Sequence, residues 1–149
     1  MPLCQAMVGW DVERKLISAV CPITYRRRES QIEFCVLLIT GDSRWEFPHG
    51  TQDDGETLAT AALRIAREAL GIYCRVDGDP LGEFKIRQPG LNYQVTAMLA
   101  ECVEEDAFVA ADARPHRWFL CDEARVRIRR KPMRHCTLLA KRRIDAALQ

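Results

Sequence analysis

The segment from Gly50 to Ile72 constrains the fold more than any other. Within it Leu58, Ala62, Ile65 and Ala69 recur three or four residues apart, the period of one helix face. Helix signals begin near Asp54 and Glu56, after a polar loop from Gly50 to Gly55. Gly71 ends the pattern, and glycine readily takes the left-handed conformation that closes a helix. A helix with one apolar face must lay that face on another layer of structure.

The flanking sequence supplies that layer. Leu16 to Arg26 is rich in β-branched and apolar residues and reads as a strand, with Arg27 to Ser30 as the turn after it. Ile32 to Thr40 is a strong apolar strand, paired with the first across that hairpin and broken at Gly41-Asp42-Ser43. Trp45 to Pro48 is a short extended piece, because Pro48 biases Phe47 away from helix. Ile72 to Val76 reads as a further strand. Gly82 to Arg87 and Leu91 to Cys102 form a second hairpin, broken at Gln88-Pro89-Gly90. Arg117 to Leu120 is a short strand, Asp122 caps a short helix, and Pro132 starts a last helix running to about Leu148. The order is strands, helix, strands, helix. Period alone leaves several sandwiches of helices on a mixed sheet open.

The central segment also has a motif. Gly50 is followed by five residues, Glu56, seven residues, Arg64, and then Ile65-Ala66-Arg67-Glu68-Ala69-Leu70-Gly71-Ile72. This resembles the box of the Nudix family, G-x5-E-x7-R-E-U-x-E-E-x-G-U with U a bulky apolar residue. Gly50, Glu56, Arg64, Glu68, Gly71 and Ile72 match in register, and Ala66 is a small apolar residue at the first U position. Trp45-Glu46-Phe47-Pro48-His49-Gly50 resembles the family's lead-in to the box. Arg117-Trp118-Phe119-Leu120 followed by Asp122-Glu123-Ala124 resembles its late strand and helix. The resemblance runs over roughly residues 16 to 148. It implies an α/β (α+β) fold, a Nudix-type α/β/α sandwich with a mixed central β-sheet. It also implies a single domain over residues 1–149, in which residues 1–15 are an N-terminal extension.

In the intact family box, positions 65, 68 and 69 are all glutamates. Residues three and four apart share a helix face, ~5 to 6 Å between Cβ atoms, so the carboxylates cluster. Such a cluster suits Mg²⁺ or Mn²⁺, which prefer oxygen ligands and help water attack a diphosphate. The family cleaves nucleoside diphosphates linked to another group. Here position 65 is Ile and position 69 is Ala, and neither can ligate a metal or move a proton. Losing a positioned general base typically costs ~10² to 10⁴ in rate, so weak or absent hydrolysis is expected.

The resemblance makes Glu68, Glu56 and Arg64 the candidate catalytic residues, with Arg64 orienting carboxylates by ion pairing. Glu68 and Glu104 are the candidate metal ligands, and Asp53, Asp54, Glu101 and Glu105 are further acids available as substitutes. His49, Lys85 and Tyr93 are the candidate substrate contacts. Each also has a plainer reading: Glu68 as an ion-pair partner of Arg64, the other acids as solvated surface, Tyr93 as a packed tyrosine, and His49 as a loop residue without a ligand. An active chain implies Mg²⁺ or Mn²⁺ with a relocated metal site; an inactive one needs neither.

Charge distribution adds a second candidate. From Arg125 to Arg143 there are nine Lys or Arg and no Asp or Glu, although the net charge of the chain is only +1. Such a block suits RNA or a highly anionic substrate, such as a dinucleoside polyphosphate or a capped RNA end. It also suits a solvated helix surface, since no aromatic platform interrupts it. The expected partner is therefore a phosphorylated small molecule or nucleotide, with RNA as a further partner of the basic block and an interaction domain as the non-catalytic alternative. The seven cysteines are odd in number and none are spaced as CxxC, which argues against a zinc site or disulfide framework and for small buried hydrophobes in a reducing compartment. No apolar run reaches ~18 residues, so no membrane partner is expected and the expected location is cytoplasmic.

Overall fold

The computed structural model describes residues 16–39, 44–106 and 115–148. Eight strands form one sheet: β1 (Leu16–Arg28), β2 (Gln31–Leu38), β3 (Trp45–Glu46), β4 (Gly50–Thr51), β5 (Ile72–Val76), β6 (Gly82–Gln88), β7 (Leu91–Glu105) and β8 (His116–Leu120). Among the described residues, three helices accompany them: α1 (Leu58–Leu70), α2 (Cys121–Arg127) and α3 (Lys131–Ala147). The main path runs β3-β2-β1-β7-β5, with β4 on β1, β6 on β7 and β8 on β2. β1 and β7 are parallel over ten residue pairs, from Leu16↔Asn92 to Tyr25↔Glu101, and the other pairings are antiparallel. The sheet is therefore mixed, as the sequence predicts.

Alternation along β1 divides the core into two layers. Ala19, Cys21, Ile23 and Tyr25 face one way and pack with Met133, Cys136, Ala140 and Ile144 of α3 and Ala124 of α2. Val20 faces the other way and packs with Ala61, Ala62 and Ile65 of α1 and with Met98 of β7. A third cluster joins Ala66 and Leu70 of α1 to Cys35, Leu37 and Ile72. The helices cover opposite faces of one sheet, the three-layer arrangement that one amphipathic helix and a basic C-terminal helix allow. Among the described residues, no helix is long and apolar enough to cross a membrane.

Several boundaries differ from expectation, each for a local reason. β1 runs to Arg28, and the turn is only Glu29-Ser30, with φ of 52° and 69°. Two positive φ values are what a tight hairpin needs to match strand twist. Gly50-Thr51 is not loop: it pairs with Val20 and Ala19 of β1. α1 begins at Leu58, because the Thr57 hydroxyl accepts from the Thr60 N–H at 3.1 Å and caps the helix there. β7 continues through a bulge to Glu105. Asp122 is not the cap of α2 but lies in its first turn, after Leu120. β2 ends at Leu38, and the break expected at Gly41-Asp42-Ser43 lies outside the described residues. Cys21, Cys35 and Cys136 are buried; Cys74, Cys102 and Cys121 are half-buried and free.

Candidate functional site

The residues around α1 are held by one arginine. Glu56 sits just before the helix, where its carboxylate accepts the Asp53 N–H at 2.9 Å and closes the turn. Arg64, two turns into the helix, reaches back to the same carboxylate. Its Nε donates to Glu56 Oε2 at 2.8 Å and its Nη2 to Glu56 Oε1 at 2.9 Å, a bidentate pair. Nη2 also donates to the Thr51 carbonyl at 2.9 Å, tying the helix to β4. Nη1 reaches Glu68 Oε2 at 3.5 Å, and Asp53 lies 3.5 Å from Nε. The Arg64 guanidinium, and then the Asp53 N–H, hold the Glu56 carboxyl down to about 2; Arg64 is raised in return, chiefly by Glu56. Glu56, Arg64 and Glu68 are thus brought together, as a latch between the turn, the helix and the sheet.

Ile65 points inward. It is 5% exposed and packs with Val20, Ala61, Ala62 and Met98. Gly50 lies directly against it: a Cβ at position 50 would meet both Cγ1 and Cδ1 of Ile65 at 3.3 Å. The first box glycine therefore gives the room that a larger side chain at 65 uses. Ala69 packs against the cluster of Cys35, Leu37 and Leu70. Only Glu68 of the three cluster positions carries a charge, and its side chain is 58% exposed beside Arg64.

The remaining candidates are dispersed. Glu101 pairs with Arg75 at 2.8 Å. Glu105 accepts from Trp118 Nε1 at 2.8 Å and lies 3.4 Å from Arg26, whose guanidinium stacks on the Trp118 ring at 4.0 Å. Glu104 lies beyond the β7 bulge, opposite Tyr73. Asp54 is exposed in the turn. His49 and Tyr93 are together, ring centroids 6.4 Å apart and edge to face. Lys85 is not with them. Tyr93 sits opposite Ile86, which is buried in the α3-side core, whereas Lys85 sits opposite Gln94. In a pleated ribbon those two pairs face opposite ways.

A divalent cation needs several oxygen donors converging on one point. At the box face the donors are reduced to one exposed carboxylate already engaged by Arg64. Among the described residues, no three His, Cys, Asp or Glu side chains are grouped so as to hold a metal ion. The donor set at this face does not fit the metal that the box implies. One buried acid escaped sequence reasoning: Glu46, 4% exposed, pairs with Arg130 Nε at 2.8 Å across 84 residues. Its only signal was a glutamate between Trp45 and Phe47.

A mixed sheet between helices, with a glycine-bracketed helix latched by Glu56 and Arg64, is the arrangement expected of a Nudix-type fold. The profile of the NUDIX domain matches residues 15–139, and the chain belongs to the Nudix family. Solved structures agree on the fold. A C. elegans Ap4A hydrolase binary complex superposes with a TM-score of 0.74 at 19% identity, covering 87% of this chain and 98% of that one. A C. elegans Ap4A hydrolase gives 0.69 at 21%, covering 91% and 100%. A NUDIX hydrolase from Nitrosomonas europaea gives 0.67 at 18%, covering 84% and 88%. Among curated proteins, none matches the sequence significantly.

Proposed function

We propose that this chain is a Nudix-fold domain that binds a phosphorylated, nucleotide-class ligand and has lost metal-dependent hydrolysis of the phosphoanhydride. The observation that carries this reading is Ile65. An apolar side chain packed on Gly50 stands where the family box has a glutamate, and Ala69 stands at a second such position. The ligand class is drawn from the family and from the similar fold of Ap4A hydrolases. Glu56 and Arg64 act here as a structural latch, which leaves Glu68 without a partner acid for general-base work.

The test joins binding to turnover. Thermal shift against mononucleotides and dinucleoside polyphosphates, with and without Mg²⁺, is expected to show stabilisation by one anionic class in either condition. A ligand at 100 times its Kd stabilises the fold by ~2.7 kcal/mol, well within detection. Nucleotide release from diadenosine tetraphosphate is expected to stay at background in Mg²⁺ and in Mn²⁺. Metal-dependent turnover at ~1 s⁻¹ or faster, abolished by Glu68→Gln, would refute the loss of catalysis.

A further inference from the structure

A group of unneutralised cations lies away from the box, where α2 passes into α3. Arg125, Arg127, Arg129, Lys131 and His135 are exposed there, and Arg134 is half-buried. Two concavities of about 530 Å³ each meet at Arg134 and Val126. One is lined by Arg125, Lys131 and His135 with Asp122 at its edge, the other by Arg127 and Arg129 with Glu123. Val126 on the ridge between them is 82% exposed.

The acids nearby do not balance these cations. Glu123 is engaged by Arg127 at 3.3 Å, and Glu46 by Arg130. Among the described residues, Arg125, Arg129, Lys131 and Arg134 have no carboxylate within ion-pair distance. Arg134 instead donates Nη1 to the carbonyls of Ile128 at 3.0 Å and Arg129 at 2.6 Å, which fixes the α2–α3 connection. Lys131 and Arg134 also sit at the unfavourable end of their helix, whereas Arg125 and Arg127 lie in the last turn of α2, where cations are favoured. α3 begins with Lys131 and Arg134, with no acid in its first turn and no side-chain cap. The N-terminus of a helix carries positive partial charge, so cations there are unfavourable and an anion is favoured. The start of α3 therefore carries cations that no acid of its own first turn offsets.

We infer that the α2–α3 corner docks the phosphate backbone of a nucleic-acid strand. A single small phosphate cannot neutralise four cations spread over two concavities, whereas successive phosphates of one strand can. Arginine forks suit phosphate oxygens. Paired concavities about a ridge suit a curved strand rather than a flat bilayer. No aromatic side chain lines either one, so contact is to the backbone, insensitive to base sequence and strongly salt-dependent. This surface shares no residue with the box face at Ile65, Glu68 and Ala69, and the inference does not rest on the proposed ligand.

The experiment is fluorescence anisotropy of the full chain with labelled oligouridylate and oligothymidylate, in parallel with phosphatidylserine–phosphatidylcholine vesicles. With about four phosphates neutralised on a single strand, the log–log salt slope is about −2.8, roughly a 50-fold loss of affinity from 50 to 200 mM salt. The double variant Arg129→Ser with Lys131→Ser, which flank the α3 N-cap Arg130, is expected to flatten that slope by about 1.4 and to keep or raise the melting temperature, because repulsion at the α3 N-terminus is relieved. Arg75→Ser, on strand β5 at the far edge of the sheet, is expected to leave binding unchanged. Binding of RNA, DNA or both with this pattern supports the inference. Four outcomes overturn it: no oligonucleotide binding at 50 mM salt; equal loss in Arg75→Ser; a lower melting temperature in the double variant; or tighter retention by the vesicles than by either oligonucleotide.

Discussion

Replacing Ile65 tests whether the box face is a packed core or a site. Ile65→Ala removes three buried carbons from a side chain that is 5% exposed. At ~0.8 kcal/mol per buried methylene the transfer loss alone is ~2.4 kcal/mol. The space left is bordered by Gly50, Ala61 and Ala62, which have little side chain with which to collapse into it. Part of the cavity cost is therefore retained, and the expected loss is about 3 to 4 kcal/mol, within the usual range for such truncations. Ile65→Val should cost about 1 kcal/mol. Urea unfolding followed by tryptophan fluorescence measures both. The companion variant, Ile65→Glu with Ala69→Glu, should be destabilised in metal-free buffer, because it places charge in this apolar packing. It should recover on adding Mn²⁺, by ~2.7 kcal/mol at 100 times Kd, whereas the natural chain should not respond. A loss below ~0.5 kcal/mol for Ile65→Ala, within the range of ordinary surface changes, would refute the packing argument and return position 65 to the solvent-facing site.

Arg64→Ala should lower the melting temperature more than Glu68→Gln does, since it removes the bidentate hold on Glu56 and the bond to the Thr51 carbonyl; equal effects in a thermal melt would contradict the latch. The depressed Glu56 carboxyl gives stability that is complete above its ordinary value near 4.5 and is lost as pH falls toward about 2. Unfolding free energy measured across that window should fall less in Arg64→Ala than in the natural chain. Arg130→Ala leaves Glu46 buried without its partner and should cost about 3 kcal/mol, the low end for a broken pair because Arg130 is itself 31% exposed. The double change Glu46→Leu with Arg130→Met should recover most of that loss in the same denaturant titration. Gly71→Ala forces a side chain onto φ of 69° at the α1 C-cap and should cost roughly 1 to 2 kcal/mol by the same assay.

Elements with a strong period were legible in the sequence, and so was the register of the box. α1, the β1–β2 and β6–β7 hairpins and the α3 start at Lys131-Pro132 follow from periodicity and punctuation alone. The exact helix start was less legible: the acidic signals at Asp54 and Glu56 precede it, and only the hydrogen bond from the Thr60 N–H puts the cap at Thr57. Within the site, the Arg64–Glu68 pair was readable from helix spacing, and Glu56 joined it only through the resemblance to the family box. Lys85 and Tyr93 were not readable as separated. Their faces depend on a pairing register in which one residue of slip exchanges the two sides of a strand. Glu104 depends on a bulge, and the Glu46–Arg130 pair on a contact across 84 residues; neither leaves a local pattern.

The box positions in this chain separate by what they do for the fold. Gly50 permits close approach of Ile65, Glu56 and Arg64 join the turn to the helix and β4, and Gly71 supplies the left-handed cap. Each of these matches the family motif. Ile65 and Ala69, the two departures that remove charge, fall at positions where the family motif has glutamates. Three carboxylates at positions 65, 68 and 69 would repel one another across one helix face and would be costly against Val20, Met98 and Leu37. Exchanging two of them for apolar residues removes that repulsion and adds packing. In the proposed reading these two positions favour the fold over metal binding, the trade expected between stability and activity. Glu68 is the one matching position that the fold does not require, being exposed and only 3.5 Å from a guanidinium already satisfied elsewhere. Glu68→Ala should therefore leave unfolding free energy within ~0.5 kcal/mol of the natural chain, and a larger loss would show that the remaining box acid is still built into the structure.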